Sequence, residues 1–473
     1  MWCHVELNHG HTDFQSVALP TELWHHFLRV ANLYKKTIRQ NFFYKIIRPL
    51  YYSELWQYAT FAFIMQNKEY FIHTLKNGIR LIHKPADSPV SHLGLFINTG
   101  SRDELLHEHG IAHLIEHMLF KGTAKRKSSY ILSRLEDVGG ELNAYTTKEE
   151  TCIHATFFKE YYGRALDLIS DIAFNSSFPS GELKKEKEII YDEINSYKDS
   201  PSELIFDEFE ELLFDGNPIA RNILGNVDVL KGLTPDHIRS FISRNYATDQ
   251  MVVSSVGKIE FSKLVKLFER YFDVAAMKPQ DKRVQASYTY VPLMQKTDRK
   301  TFQTHCIIGN LAYSVDDSRR LPLYLLNNYL GGPGSNSLLN MALRERRGYA
   351  YTIDSMYTAY ADTGNITIYF GTDKNLVEKC IEIVLRELRQ IKQKPLSDVQ
   401  LRKAKRQVLG HIAISSEHNE NYMLSMGKSL MIFNRIESLE ETGRKIEAID
   451  AGQLRDIANE VLDESKLSYL IYQ

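Results

Sequence analysis

Paired cysteine is missing from this sequence. The four cysteines, Cys3, Cys152, Cys306 and Cys380, lie far apart with no C-x-x-C spacing. Neither a disulfide framework nor a thiolate metal site is therefore expected, and a reducing compartment fits best. An excess of charge of one sign is also missing. The 58 basic and 59 acidic side chains leave a net charge of -1, which gives no electrostatic footprint for nucleic acid over the whole chain. Long apolar runs are absent too. The best candidate, residues 58–65 (YATFAFIM), falls far short of the roughly 20 residues that a spanning helix needs, so no membrane span is expected. Nor is there the basic, apolar, small-residue succession of a signal peptide, or a G-x-x-x-x-G-K-[ST] phosphate loop.

What is present is the composition of a soluble globular protein, 473 residues with 43% hydrophobic and 25% charged side chains, long enough for two or more domains. Residues 1–64 carry aromatic clusters and no sustained period, and read as an appendage. The globular pattern begins at Met65, which is the expected natural start; with no export signal after it, the expected location is the cytoplasm. From there, strand-like and helical runs alternate around turn signals such as Asn77-Gly78. HLGLFINTG and HCIIGNLAY are strand-like, GIAHLIEHMLF and LPLYLLNNYL helical, and the order of the first half returns in the second at an offset of about 211 to 213 positions. Two copies of one α+β unit are implied: one over 65–277, a linker region over 278–300, and a second copy over 301–473.

The copies differ where chemistry would sit. LIEHMLFKGT aligns with LLNNYLGGPG, so that Tyr324, Asn327 and Asn328 stand at the places of His113, Glu116 and His117. In the first copy the two histidines are four apart, one turn of a helix, and can share one metal ion. Zinc takes neutral imidazole and carboxylate, and a hydrolytic site needs three protein ligands with one position left for water. Glu116, beside His117, is the candidate general base for that water. The five-residue string alone also suits a solvated helix face. A third ligand must come from elsewhere, and the charged helical run ELKKEKEIIYDEINSYKDSP offers Glu186 and Glu193, two turns apart on one face. His107 and His109, on the loop before the motif, are weaker alternative ligands because loops order metal sites poorly.

With these residues the sequence resembles the pitrilysin and insulinase family of zinc peptidases, the inverzincins of the H-x-x-E-H signature, and among them the short bacterial members similar to the mitochondrial processing peptidase. The family places its glutamate ligand 76 positions after the last histidine, where Glu193 stands, and an orienting glutamate seven before that, where Glu186 stands. HMLFKGT and LEDVGGELNAYTTKEET match further family segments; the second implies an edge strand at Asn143 and Ala144 that receives peptide by strand addition. Arg344 and Tyr351 in LRERRGYAY match an arginine and a tyrosine that reach across the chamber to substrate and stabilise developing charge. The loop from Gly331 to Ser335 resembles the family's glycine-rich loop, with Pro333 and the following Asn336 departures from its commonest glycine and arginine forms.

The resemblance covers about 65–473. It implies two homologous domains, each a mainly antiparallel sheet packed with helices, making half of a clamshell, with the second domain inactive but contributing to substrate binding. It further implies one zinc ion per chain, endopeptidase activity on peptides or short unfolded segments, and pairing as a homodimer or with a related chain. The rival readings are a non-catalytic peptide-binding or assembly subunit, against which the intact motif argues, and a structural metal domain, against which the lack of paired cysteine argues.

Overall fold

The computed structural model describes residues 70–279, 283, 285 and 288–473; the expected appendage over 1–64 lies outside the described residues. At the Asn77-Gly78 signal, β1 (Phe71–Thr74) and β2 (Arg80–Pro85) pair antiparallel. Gly78 adopts φ +96, where an L side chain is strained, and a Cβ there would sit 2.9 Å from the Asp249 backbone.

The first half continues with β3 (Val90–Ile97), α1 (Ile111–Leu119), α2 (Ser128–Glu136), β4 (Glu141–Thr146), β5 (Thr151–Phe158) and α3 (Tyr162–Phe174). Then follow α4 (Ser180–Lys198), α5 (Pro201–Leu213), α6 (Val227–Gly232), α7 (Pro235–Asn245), β6 (Met251–Gly257) and α8 (Phe261–Phe272). Its sheet runs β1-β2-β6-β3-β5-β4, which leaves β4 on an edge. Among the described residues β2 and β6 are the one parallel pair of this sheet. In α3 the buried Ala165, Leu166, Leu168, Ile169 and Ile172 follow the helical period and pack with Leu93, Leu95 and Ile153 of the sheet into one core.

The second half contains β7 (Met294–Thr297), β8 (Thr304–Ala312), α9 (Arg320–Gly331), β9 (Ala350–Ala359), β10 (Gly364–Thr372) and α10 (Val377–Gln393). It ends with α11 (Asp398–Glu417), α12 (Asn419–Phe433), α13 (Leu439–Ala448), α14 (Ala451–Val461) and β11 (Ser468–Tyr472). The order here is β7-β11-β8-β10-β9. Remove β1 from the first sheet and the two orders correspond strand for strand, so the repeat in the sequence is a repeat of topology. β7 lies inside the 278–300 stretch and is the first strand of the second sheet, parallel to β11.

Each half lends a helix to the other, and together they form one compact unit. α12 of the second half covers the free face of the first sheet, where Met423, Met426 and Leu430 pack on Phe96, Val252 and Val256. The approach is so close that a Cβ at Gly427 would fall 2.2 Å from the Phe96 ring. In return, α5 lays Phe209 and Leu213 on Ile307, Tyr369 and Leu470 of the second sheet. Burial of these apolar faces is the main driving force that joins the halves.

Candidate metal centre

All of α1 is buried, so its polar residues are inside the protein rather than on a solvated face. It starts at Gly110, whose φ of +99 and approach to Gly225 (2.8 Å from a Cβ to the Gly225 Cα) exclude other residues. Glu104 anchors the first turn: its carboxylate accepts the N–H groups of Gly110 and Ala112, both at 2.9 Å. Such a carboxylate satisfies donors that the helix leaves unpaired. Burial pushes the Glu104 carboxyl up to about 8, against those two donors and Arg221.

One turn apart, the rings of His113 and His117 are 4.7 Å between centroids. α4 crosses behind α1 and brings its two glutamates to them. Glu193 Oε2 lies 3.8 Å from His113 Nε2 and 3.6 Å from His117 Nε2. Glu186 Oε2 accepts from His117 Nδ1 at 3.2 Å, and its other oxygen pairs with Lys121 at 2.8 Å. Among the described residues His113, His117 and Glu193 are the group whose ligand atoms all lie within 4.8 Å of one another.

These residues fit zinc. The Glu193 separations are too long for hydrogen bonds, and among the described residues the buried Glu193 Oε2 has no donor. For metal–ligand bonds of about 2.0–2.2 Å, however, the edges of a tetrahedron are about 3.3–3.6 Å, close to what is seen. The donor set, two imidazoles and a carboxylate, is that of a hydrolytic zinc site. Burial, reinforced by the neighbouring His117, lowers His113 to about 3, which keeps its imidazole neutral as a ligand must be. For His117, burial is outweighed by Glu186, Glu193 and Glu116, which raise it. The Glu186 bond to Nδ1 leaves Nε2 to face Glu193, so it fixes the ring direction. Glu186→Gln is expected to weaken zinc affinity about ten- to a hundredfold; competition against a chromogenic chelator measures it, and an unchanged affinity would refute the orienting role.

Glu116 is buried beside His117, and burial pushes its carboxyl up against the opposing influence of Thr146 and His117. Asn143 and Ala144 lie on the edge strand β4, paired to His154 and Ile153 of β5, and α1 packs against this strand. His109 is engaged elsewhere, its Nε2 2.8 Å from the Asn222 carbonyl, and neither it nor His107 belongs to the ligand group.

Arg344 and Tyr351 stand at two irregularities of the backbone. Arg344 is in a π-helical turn, Met341–Glu345, and Tyr351 is the extra residue of a β-bulge, between Ala350 paired to Thr372 and Thr352 paired to Gly371. Both features recur at functional sites because they redirect side chains. Both residues are more than half exposed, and among the described residues neither bonds to the ligand group. In the second copy, the Asn327 amide donates to the Ser355 carbonyl at 3.0 Å and accepts from its hydroxyl at 2.6 Å. The place of the first copy's base is here a neutral clamp between α9 and β9.

Sequence reasoning missed Glu104 and Lys121. Lys121 follows His117 at helical spacing, which was a usable signal; an isolated Glu104 ahead of a loop offered none. No helix of the described residues is long and apolar enough to cross a membrane.

Comparison with known proteins finds one peptidase family along most of the chain. The insulinase family (peptidase family M16) matches residues 80–227, and the M16 inactive domain matches residues 232–408. A Bacillus subtilis protein named an uncharacterized zinc protease, YmxG, is 30% identical over 401 residues, 84% of this chain and 97% of that protein. An uncharacterized zinc protease of Streptomyces coelicolor is 31% identical over 397 residues, 82% of this chain and 86% of its own length. Among solved structures, a protease from Helicobacter pylori shares the fold with a TM-score of 0.80 at 18% identity, covering 86% of this chain and 100% of that one. An M16 inactive-domain peptidase structure from Pseudomonas fluorescens does so with 0.80 at 20%, covering 85% and 97%. The chain, with its His113, His117 and Glu193 group on two helices of the first half and Asn327 and Asn328 at the matching places of the second, belongs to the insulinase family of peptidases, M16.

Proposed function

We propose that this chain is a zinc-dependent endopeptidase that cleaves peptides or short unfolded segments and works as a dimer. The observation that carries the reading is the convergence of His113, His117 and a Glu193 oxygen that has no donor among the described residues, with buried Glu116 on the helix of the two histidines and a sheet edge beside it. Zinc, when bound, supplies Lewis acidity, which polarises a carbonyl and acidifies water. Glu116 takes the proton of the attacking water on its carboxylate and later gives it to the leaving amine. Substrate joins β4 as an added strand through main-chain hydrogen bonds at Asn143 and Ala144, which asks for an extended chain and makes folded proteins poor substrates.

Arg344 and Tyr351 fit the reading as groups presented to a second copy. Exposed, and among the described residues unbonded to their own ligand group, they complete the site of the partner, where a guanidinium and a phenol stabilise the developing oxyanion. Among the described residues Cys152, Cys306 and Cys380 are buried free thiols, which a reducing compartment suits.

The reading is tested by cleavage of a quenched fluorescent peptide library, with zinc content measured before and after chelation and after zinc is returned. Cleavage that follows zinc content is the expected result. A zinc-loaded protein without activity would favour a non-catalytic peptide-binding subunit, and a protein that takes up no zinc would refute the ligand assignment.

A further inference from the structure

The two halves meet around a buried ion cluster that the chemistry above does not use. Arg102, two residues before the Glu104 anchor of α1, has a side chain only 1% exposed. Its guanidinium holds Asp362 bidentately, Nη1 to Oδ1 at 2.9 Å and Nη2 to Oδ2 at 2.8 Å, and also bonds Glu149. Asp362 sits on the turn between β9 and β10 in the second half, while Glu149 sits on the turn between β4 and β5. Glu149 also accepts the Ala361 N–H at 3.1 Å. On the connection between the halves, Arg283 pairs with Asp103 through two bonds of 2.7 Å and donates to the Glu149 carbonyl at 2.9 Å. Backbone bonds from Ser101 N to Thr147 O (3.1 Å) and from Arg102 N to Lys148 O (2.9 Å) fasten the same turn to the same segment.

Taking such charges out of water costs free energy that an apolar contact of equal size would not, so stability is a poor explanation for the cluster. A planar, forked guanidinium between two carboxylates instead imposes one relative geometry. The three pieces it joins are those that the proposed cleavage uses. They are the segment that anchors α1, the end of the edge strand β4, and the hairpin whose first strand carries Tyr351.

We propose that Arg102 is a positioning residue for peptide cleavage: with Asp362 and Glu149 it locks the β9–β10 tip of the second half onto the β4–β5 turn, and so sets the edge strand against the metal-bearing helix. The inference rests on the strand-addition reading given above. Asp362→Asn keeps shape and drops charge; Arg102→Lys keeps charge and drops the fork. Each variant is measured for zinc content, thermal midpoint, kcat and KM. The dissociation constant of a fluorescent peptide is measured in a Glu116→Gln background, where binding is read apart from cleavage.

Both variants are expected to weaken peptide binding and lower kcat/KM by about tenfold or more, as small misplacements of a substrate do, with zinc content unchanged and the protein folded at the assay temperature. A lowered thermal midpoint with unchanged peptide affinity would make the cluster a structural staple and overturn the proposal, as would variants indistinguishable from the unaltered protein. Should either variant fail to fold, Arg283→Gln, which loosens the same turn from the connection, is judged by the same criteria. An unaltered protein that binds peptide without cutting it overturns the peptidase reading and leaves the binding measurement to decide on Arg102. One that neither binds nor cuts overturns both.

Discussion

Glu116→Gln is expected to abolish cleavage, lowering kcat by about a thousandfold or more, while zinc stays bound at the level of the unaltered protein. Glutamine has the shape of glutamate but cannot take a proton from water. Glu116 forms no ion pair among the described residues, so the neutral side chain breaks no pairing that holds α1, and His113, His117 and Glu193 keep their places. Retained zinc with retained peptide binding would place the lost free energy in the chemical step alone. If the variant cuts peptides as fast as the unaltered protein, another group is the base. If it loses zinc together with activity, Glu116 supports the ligand group rather than the proton transfer.

Much of this site is legible in the sequence because it is helical. A spacing of four puts His113 and His117 on one face whatever surrounds them, and a spacing of seven does the same for Glu186 and Glu193. That the two helices meet is a long-range fact, and only the resemblance to a family, through the 76-residue separation, carried it. The repeat was readable for the same reason as the helices, since period and order survive where identity is lost. What covers each sheet was not readable. An apolar stripe on α12 says that the helix is covered, not that the first sheet covers it from the other half. Charged residues hid most. Arg102 and Asp362 are 260 positions apart, and each alone reads as a solvated side chain, because nothing local marks a charge that tertiary structure will bury. Arg344 and Tyr351 sit on a π-helical turn and a bulge, two breaks in periodicity that a periodic reading passes over.

The exposure of that last pair leads to the strongest test of the dimer. If Arg344 and Tyr351 serve the partner's metal centre, two dead proteins can make a live one. One carries Glu116→Gln with its tyrosine intact; the other carries Tyr351→Phe with its base intact. Each homodimer lacks one group at both sites. In a mixed dimer of two-fold symmetry one site lacks both groups, and the other combines an intact base with the tyrosine of the partner subunit. Random pairing of equal amounts makes half of the dimers mixed, each with one working site, so co-expressed or refolded mixtures are expected to recover about a quarter of full activity. Were Tyr351 to serve its own chain, every site in the mixture would still lack one group, and activity would not rise above the mean of the two homodimers. Recovery near a quarter requires both the pairing of chains and the exchange of residues between them, because neither alone restores a complete site.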